Sequence, residues 1–242
     1  TGADTPSPYD GRMRIVALVS GSGTNLQAVL DAVASGALDV EIAAVGADVA
    51  DAGGLERARA HGIAISFGYA ELTPEGQHFN TQILTDRQAD IIARYRKIHL
   101  PGHGEYDPQR AFQHLEKRYF EPGNLGFPVW RTMGGVMGMC ICNDRRWPET
   151  FRVMALRGAE VFMLGYNTPT RNIHHPEPAH LREFHNRLSL ESAAYQNGAW
   201  VMAAAKCGSE DGFAMIGGSA IVAPTGEVVA RAVSEGDEGI SY

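Results

Sequence analysis

The run Met139-Cys140-Ile141-Cys142-Asn143-Asp144-Arg145-Arg146-Trp147 sets a cysteine at the end of an apolar stretch, directly before two arginines and a tryptophan. A thiol attacks only as thiolate, and its resting pKa of ~8.5 falls when cations lie close by. Arg145 and Arg146 are such cations, and paired guanidinium hydrogen bonds would also let them clamp an anionic substrate group. Upstream, Lys97 stands between an apolar strand and the turn Pro101-Gly102-His103, where a lysine could stabilise an oxyanion or relay a proton. Cysteine with lysine points to acyl chemistry through a covalent intermediate. The carboxylate that should complete such a site is hard to find. Cys140, two residues before Cys142 on the same strand face, reads as packing.

The elements that must position these groups follow from periodicity. Residues 13–19 form a continuous β-prone run, as in a strand buried on both faces of a parallel sheet. The glycine-rich turn Ser20-Gly21-Ser22-Gly23-Thr24-Asn25 follows, then a helical pattern over 26–34, a strand over 40–45 and a short helix over 55–61. This is one βαβα unit. From residue 63 the texture changes to shorter strands, at 63–70, 79–84, 91–97, 136–141, 161–165, 199–205 and 220–222, with helices over 147–157 and 180–196. Alternating strands and helices imply a layered α/β fold. Residues 1–12 read as a polar tail, and the sequence stops at 240–242 in strand-like residues without a cap, as a truncated domain would.

Bulk properties narrow the function classes. A chain of 242 residues with 44% hydrophobic content can bury a full core. Its 21 basic residues against 28 acidic ones, with no long basic block, argue against nucleic acid. No apolar run reaches the ~18 residues of a membrane span and the start lacks a secretory signal, so a cytoplasmic protein with no membrane partner is expected. Three cysteines without framework spacing fit reduced thiols, and Cys140-x-Cys142 is too close for a zinc knuckle.

From about residue 67 the chain resembles the N-carbamoyl-D-amino acid amidohydrolases of the nitrilase (carbon–nitrogen hydrolase) superfamily. The resemblance rests on the cysteine and lysine segments together with Gly68-Tyr69-Ala70-Glu71-Leu72, the run from Phe112 through Glu116 to Gly123, Gly165-Tyr166-Asn167-Thr168-Pro169-Thr170, Tyr195-Gln196-Asn197-Gly198-Ala199-Trp200 and Ile221-Val222-Ala223-Pro224-Thr225-Gly226-Glu227. It implies an αββα sandwich, Cys142 as nucleophile, Lys97 as catalytic lysine and Glu116 as a further active-site glutamate. It also implies a substrate site drawn from Arg145, Arg146, Asn143, Asn167, Thr168, His99 and His114, although each histidine reads equally well as a structural hydrogen-bonder. The implied substrate is a small N-carbamoyl-D-amino acid, with no metal or organic cofactor, and the implied assembly is a homo-oligomer, a dimer or tetramer. The family's remaining triad glutamate sits in a Phe-Pro-Glu context that this sequence lacks. Asp48 falls near the colinear position, one methylene shorter, and reads better as a turn or cap, so impaired turnover is expected.

Residues 13–65 are similar instead to the amino-terminal half of phosphoribosylglycinamide formyltransferases, through Leu18-Val19-Ser20-Gly21-Ser22-Gly23-Thr24-Asn25-Leu26-Gln27 and Val45-Gly46-Ala47-Asp48. That resemblance implies phosphate binding by Gly21, Ser22, Gly23, Thr24 and Asn25 at a helix N-terminus. The formyl-transfer motif has only a faint counterpart in Arg171-Asn172-Ile173-His174-His175-Pro176, with the wrong histidine-to-proline spacing. The expected organisation is a tail (1–12), a Rossmann-like βαβ fragment (13–65) and a hydrolase domain (66–242). The competing classes are a formyltransferase-like phosphate binder and a catalytically silent nitrilase fold.

Overall fold

The computed structural model describes residues 13–19, 24–47, 53–88, 90–110, 113–171, 178–210 and 212–232. Ser20 to Gly23, Asp48 and the chain from 233 to 242 lie outside that set, and for Thr24 and Asn25 only the backbone helix is described. The phosphate turn and the stand-in aspartate of the sequence reading therefore have no structural account.

The first sheet grows from three β-prone runs, β1 (Met13–Val19), β2 (Val40–Ala47) and β3 (Ala64–Leu72), separated by α1 (Thr24–Ala34) and α2 (Gly53–Ala60). Crossover helices bring successive strands back in the same direction, and β1–β2 and β2–β3 pair parallel. Short turns then give antiparallel β4 (His78–Thr85) and β5 (Ile91–Arg96), closing a sheet of order β1-β2-β3-β4-β5. Residue 65, where the sequence suggests a change of unit, lies inside β3, so one sheet continues across it.

The second sheet has the order β13-β12-β9-β8-β7-β6. After the one-turn helix α3 (Glu116–Tyr119) come β6 (Val129–Thr132) and β7 (Gly135–Ile141). Its centre is parallel: β7, β8 (Val161–Tyr166) and β9 (Trp200–Ala205), with α4 (Pro148–Leu156) and α5 (Ala179–Asn197) as the crossovers. The hairpin β10 (Ser209–Glu210) and β11 (Phe213–Ala214) stands apart, while β12 (Ala220–Val222) and β13 (Val228–Arg231) complete one edge.

Apolar faces decide how the layers stack. β4 and β5 pack on β7, and β3 on β8, so Leu84, Ala93 and Tyr95 share one core with Met139, Phe162 and Val201. Phe151 and Met154 of α4, with Leu190 and Ala194 of α5, bury against the second sheet. Leu26, Leu30 and Ala58 of α1 and α2 form a smaller core with Ile42, Val45 and Ile65. Helices outside and two sheets inside give the αββα order that the resemblance implies.

Candidate active site

β7 and β8 run parallel, so both deliver their last residues to the same edge of the sheet, where open α/β sheets form their sites. Cys142 is the first residue past β7 and takes φ 46°, a left-handed conformation that costs a side-chain-bearing residue ~1–3 kcal/mol. It opens a single 3-10 turn, Cys142–Arg146. The turn is pinned where Asp144 Oδ2 accepts from the Ile141 amide (3.0 Å) and where Arg145 Nη1 donates to the Cys142 carbonyl (2.6 Å). The half-buried Sγ stands 3.9 Å from Arg145 Nη1 and 4.0 Å from the carbonyl oxygen of Asn167, just past β8. Cys140 is fully buried, and desolvation pushes its thiol well above the ordinary range, which removes it as a nucleophile.

Lys97 immediately follows β5 and is 0% exposed. Its backbone is fixed on both sides, the amide donating to Asn80 O (2.8 Å) and the carbonyl accepting from Gly123 N (2.8 Å). A buried ammonium requires a charged partner, and Glu116 at the start of α3 takes Nζ on both oxygens, at 2.8 and 2.6 Å.

Asp144 joins these two segments. Wholly buried, it accepts from Tyr95 Oη (2.9 Å) and Ile141 N through Oδ2, and from His99 N (2.9 Å) and His99 Nδ1 (2.8 Å) through Oδ1. The His99 ring also stacks on Trp147 (centroids 5.0 Å) and Phe127 (6.0 Å). Asn143 Nδ2 donates to the His99 carbonyl at 3.0 Å. Tyr95 is held protonated, first by burial and then by the Asp144 charge, so it remains a donor.

Arg145 departs from its expected role as a substrate clamp. It is 2% exposed, and each of its nitrogens is engaged within the protein: Nε with Asn186 Oδ1 (2.8 Å), Nη1 with the Cys142 carbonyl and Nη2 with Thr168 Oγ1 (3.1 Å). Its guanidinium lies 4.1 Å from the centre of the Tyr166 ring, whose hydroxyl accepts from Asn186 Nδ2 (2.9 Å). Thr168, buried as its acceptor, belongs to the same bracket. Arg146, one residue on, is exposed.

The remaining expected residues lie near this edge. Asn167 donates to Glu210 Oε2 (2.6 Å), and Lys206, then Asn167, hold that carboxyl below its ordinary range. His114 is half-buried, and its pKa is lowered first by burial and then by the charges of Arg182, Lys97, His103 and Arg146, which places it in the same electrostatic field as the lysine. Sequence reading misses Asp144, Tyr95, Tyr166 and Asn186. Asp144 and Tyr166 stand in quoted motifs, but nothing local shows that four donors converge on the one or that the other lies under the Arg145 guanidinium.

An αββα sandwich with a strained cysteine at a parallel strand end and a buried lysine–glutamate pair defines a class, the nitrilase-type hydrolases. The sequence model of the carbon-nitrogen hydrolase family matches residues 52–242, and the chain belongs to that family. It is 32% identical over 179 residues to N-carbamoylputrescine amidase of Solanum lycopersicum, covering 71% of this chain and 56% of that protein. It is also 32% identical over 164 residues to citrullinase of Francisella tularensis subsp. tularensis, covering 66% and 54%. The chain thus spans about half the length of the curated relatives it matches. In fold it is similar to the crystal structure of a carbon-nitrogen hydrolase from Helicobacter pylori G27, with TM-score 0.66, 21% identity and coverage of 90% of this chain and 83% of that one. That coverage extends beyond the family match, which itself takes in residues 52–65 of the segment likened to formyltransferases.

Proposed function

We propose that this chain hydrolyses N-carbamoyl-D-amino acids through an acyl-cysteine intermediate. The observation that carries the reading is the carboxylate of Asp144, which ties the residues two before and two after Lys97 to the turn that presents Cys142. Cys142 Sγ attacks the ureido carbonyl carbon, and the Lys97 ammonium faces the oxyanion that develops. The C–N bond then breaks and ammonia leaves with the thiol proton, relayed through the Lys97–Glu116 pair. Water cleaves the thiocarbamate, Cys142 regains its proton, and the released carbamate loses carbon dioxide to give the D-amino acid. Arg145 holds the nucleophile turn, so the exposed Arg146 is assigned to the substrate carboxylate, with Asn143, Asn167, His99 and His114 around it.

The names of two relatives, N-carbamoylputrescine amidase and citrullinase, support a ureido substrate class without deciding its side chain. Because the Phe-Pro-Glu glutamate is missing, the proposed turnover is slower by the ~10²–10⁴-fold that a positioned acid–base group contributes. A reducing, cytoplasmic setting fits the three free thiols, and exposed Phe184, Leu188 and Tyr195 along α5 support self-association as a dimer or tetramer. The test is ammonia release from N-carbamoyl-D-phenylglycine, its L enantiomer and N-carbamoylputrescine. Preference for the D amino acid supports the reading, and preference for N-carbamoylputrescine contradicts it.

A further inference from the structure

We propose that Asp144 is the positioning residue of this site: its buried carboxylate fixes where Lys97 stands relative to Cys142 and holds His99 in one tautomer. The inference rests on Cys142 and Lys97 being the reacting pair. Asp144 lies two residues after the nucleophile, and its side-chain donors flank the lysine symmetrically, Tyr95 two residues before and His99 two after. Each oxygen has a separate task. Oδ2 joins Tyr95 at the end of β5 to Ile141 at the end of β7, bolting the two sheets together where the reacting groups emerge. Oδ1 takes both the amide and Nδ1 of His99 and so shapes the loop that leaves Lys97.

A carboxylate that is 0% exposed stands in a protein interior only when donors satisfy it, and four do so here. Because a carboxylate only accepts, His99 donates its Nδ1 hydrogen, and in the neutral ring Nε2 is then the acceptor nitrogen. Trp147 and Phe127 on the ring prevent it from turning to offer the other nitrogen. Asp144 touches neither Cys142 Sγ nor Lys97 Nζ, so it acts through Tyr95, Ile141 and His99 rather than on substrate.

Asp144→Asn keeps the shape but replaces one acceptor oxygen by a donor amide, which must confront either the Tyr95 and Ile141 pair or the two groups of His99. The experiment compares the parent, Asp144→Asn, Tyr95→Phe and Cys142→Ala by quenched-flow acylation with N-carbamoyl-D-phenylglycine, thermal melting and nitrogen-15 histidine spectra. The expected result for Asp144→Asn is a protein that folds but melts below the parent, an acylation rate lower by ~100-fold with substrate half-saturation little changed, and loss of the low-field Nδ1–H signal of His99. Tyr95→Phe removes one donor of the four and is expected to slow acylation about tenfold while keeping that signal. Parental acylation in a folded Asp144→Asn overturns the proposal, as does slow acylation with the His99 signal intact. Should Asp144→Asn fail to fold, Tyr95→Phe decides, and parental acylation there overturns it. Acylation elsewhere than Cys142, or in Cys142→Ala, contradicts the nucleophile itself and is distinguishable from failure of the Asp144 role alone.

Discussion

Arg145 and Arg146 are adjacent in sequence and opposite in circumstance. A 3-10 turn rotates successive side chains by roughly a third of a circle, so one guanidinium points into the protein and the next faces out. No feature of an Arg-Arg pair tells which is which, because the distinction is made by Tyr166, Thr168 and Asn186, 20 or more residues away. Two substitutions separate their roles. Arg146→Met is expected to weaken binding of N-carbamoyl amino acids by on the order of 2 kcal/mol while leaving neutral amides nearly unaffected. Arg145→Met strands several buried acceptors and is expected to lower stability by roughly 3 kcal/mol and to slow all substrates alike. Half-saturation constants for the two substrate types, set beside melting temperatures, read both outcomes. Equal losses with both substrate types in Arg146→Met would show that it holds structure.

At the scale of elements, the strands that end at the reacting residues are legible from their apolar runs. Both Cys142 and Lys97 are found by standing where such runs stop. The edge strands β6 and β13 are not legible, because four residues interrupted or closed by Arg131 and Arg231 show no periodicity. α3 is equally silent, a single turn without a side-chain cap, although it carries Glu116. Nor does sequence show what steadies β5. Glu71 on β3 is nearly buried and accepts from Arg96 (2.8 and 2.7 Å), Arg94 (3.0 Å) and Thr81 (2.6 Å), clamping the strand one residue before Lys97. The Arg96 hydrogen bonds, foremost, hold the Glu71 carboxyl below the ordinary glutamate range. A depressed folded pKa contributes stability that is present above the unfolded value and is lost as pH falls through the folded one. Acid unfolding therefore includes a component from Glu71 in that window. In Glu71→Gln, melting near neutral pH is expected to drop, and the loss of stability between the ordinary glutamate range and the depressed one is expected to flatten. An unchanged acid profile would mean that the clamp contributes nothing to it.

For the whole molecule, the α/β class is readable because strand and helix signals alternate clearly, whereas the αββα order comes from the family resemblance and not from periodicity. Where the two textures meet is not readable: the break in sequence character near residue 65 falls inside β3, and hydrogen bonding to β2 on one side and β4 on the other makes a single sheet of both. Pairing partners are long-range facts that periodicity does not contain. The sandwich matters to function because it lets β5 of one sheet and β7 of the other end at the same place, with Asp144 between them. On the proposed mechanism, Lys97 and Cys142, 45 positions apart in sequence, act on one carbonyl.

The most direct measurement of that claim is the intact mass and peptide map of the protein quenched during turnover of N-carbamoyl-D-phenylglycine. The account predicts an adduct of the carbamoyl amino acid less ammonia, confined to the peptide holding Cys142, absent in Cys142→Ala and accumulating more slowly in Lys97→Met. Ammonia released at the parental rate by Cys142→Ala, or an adduct on Cys207 in place of Cys142, would contradict it.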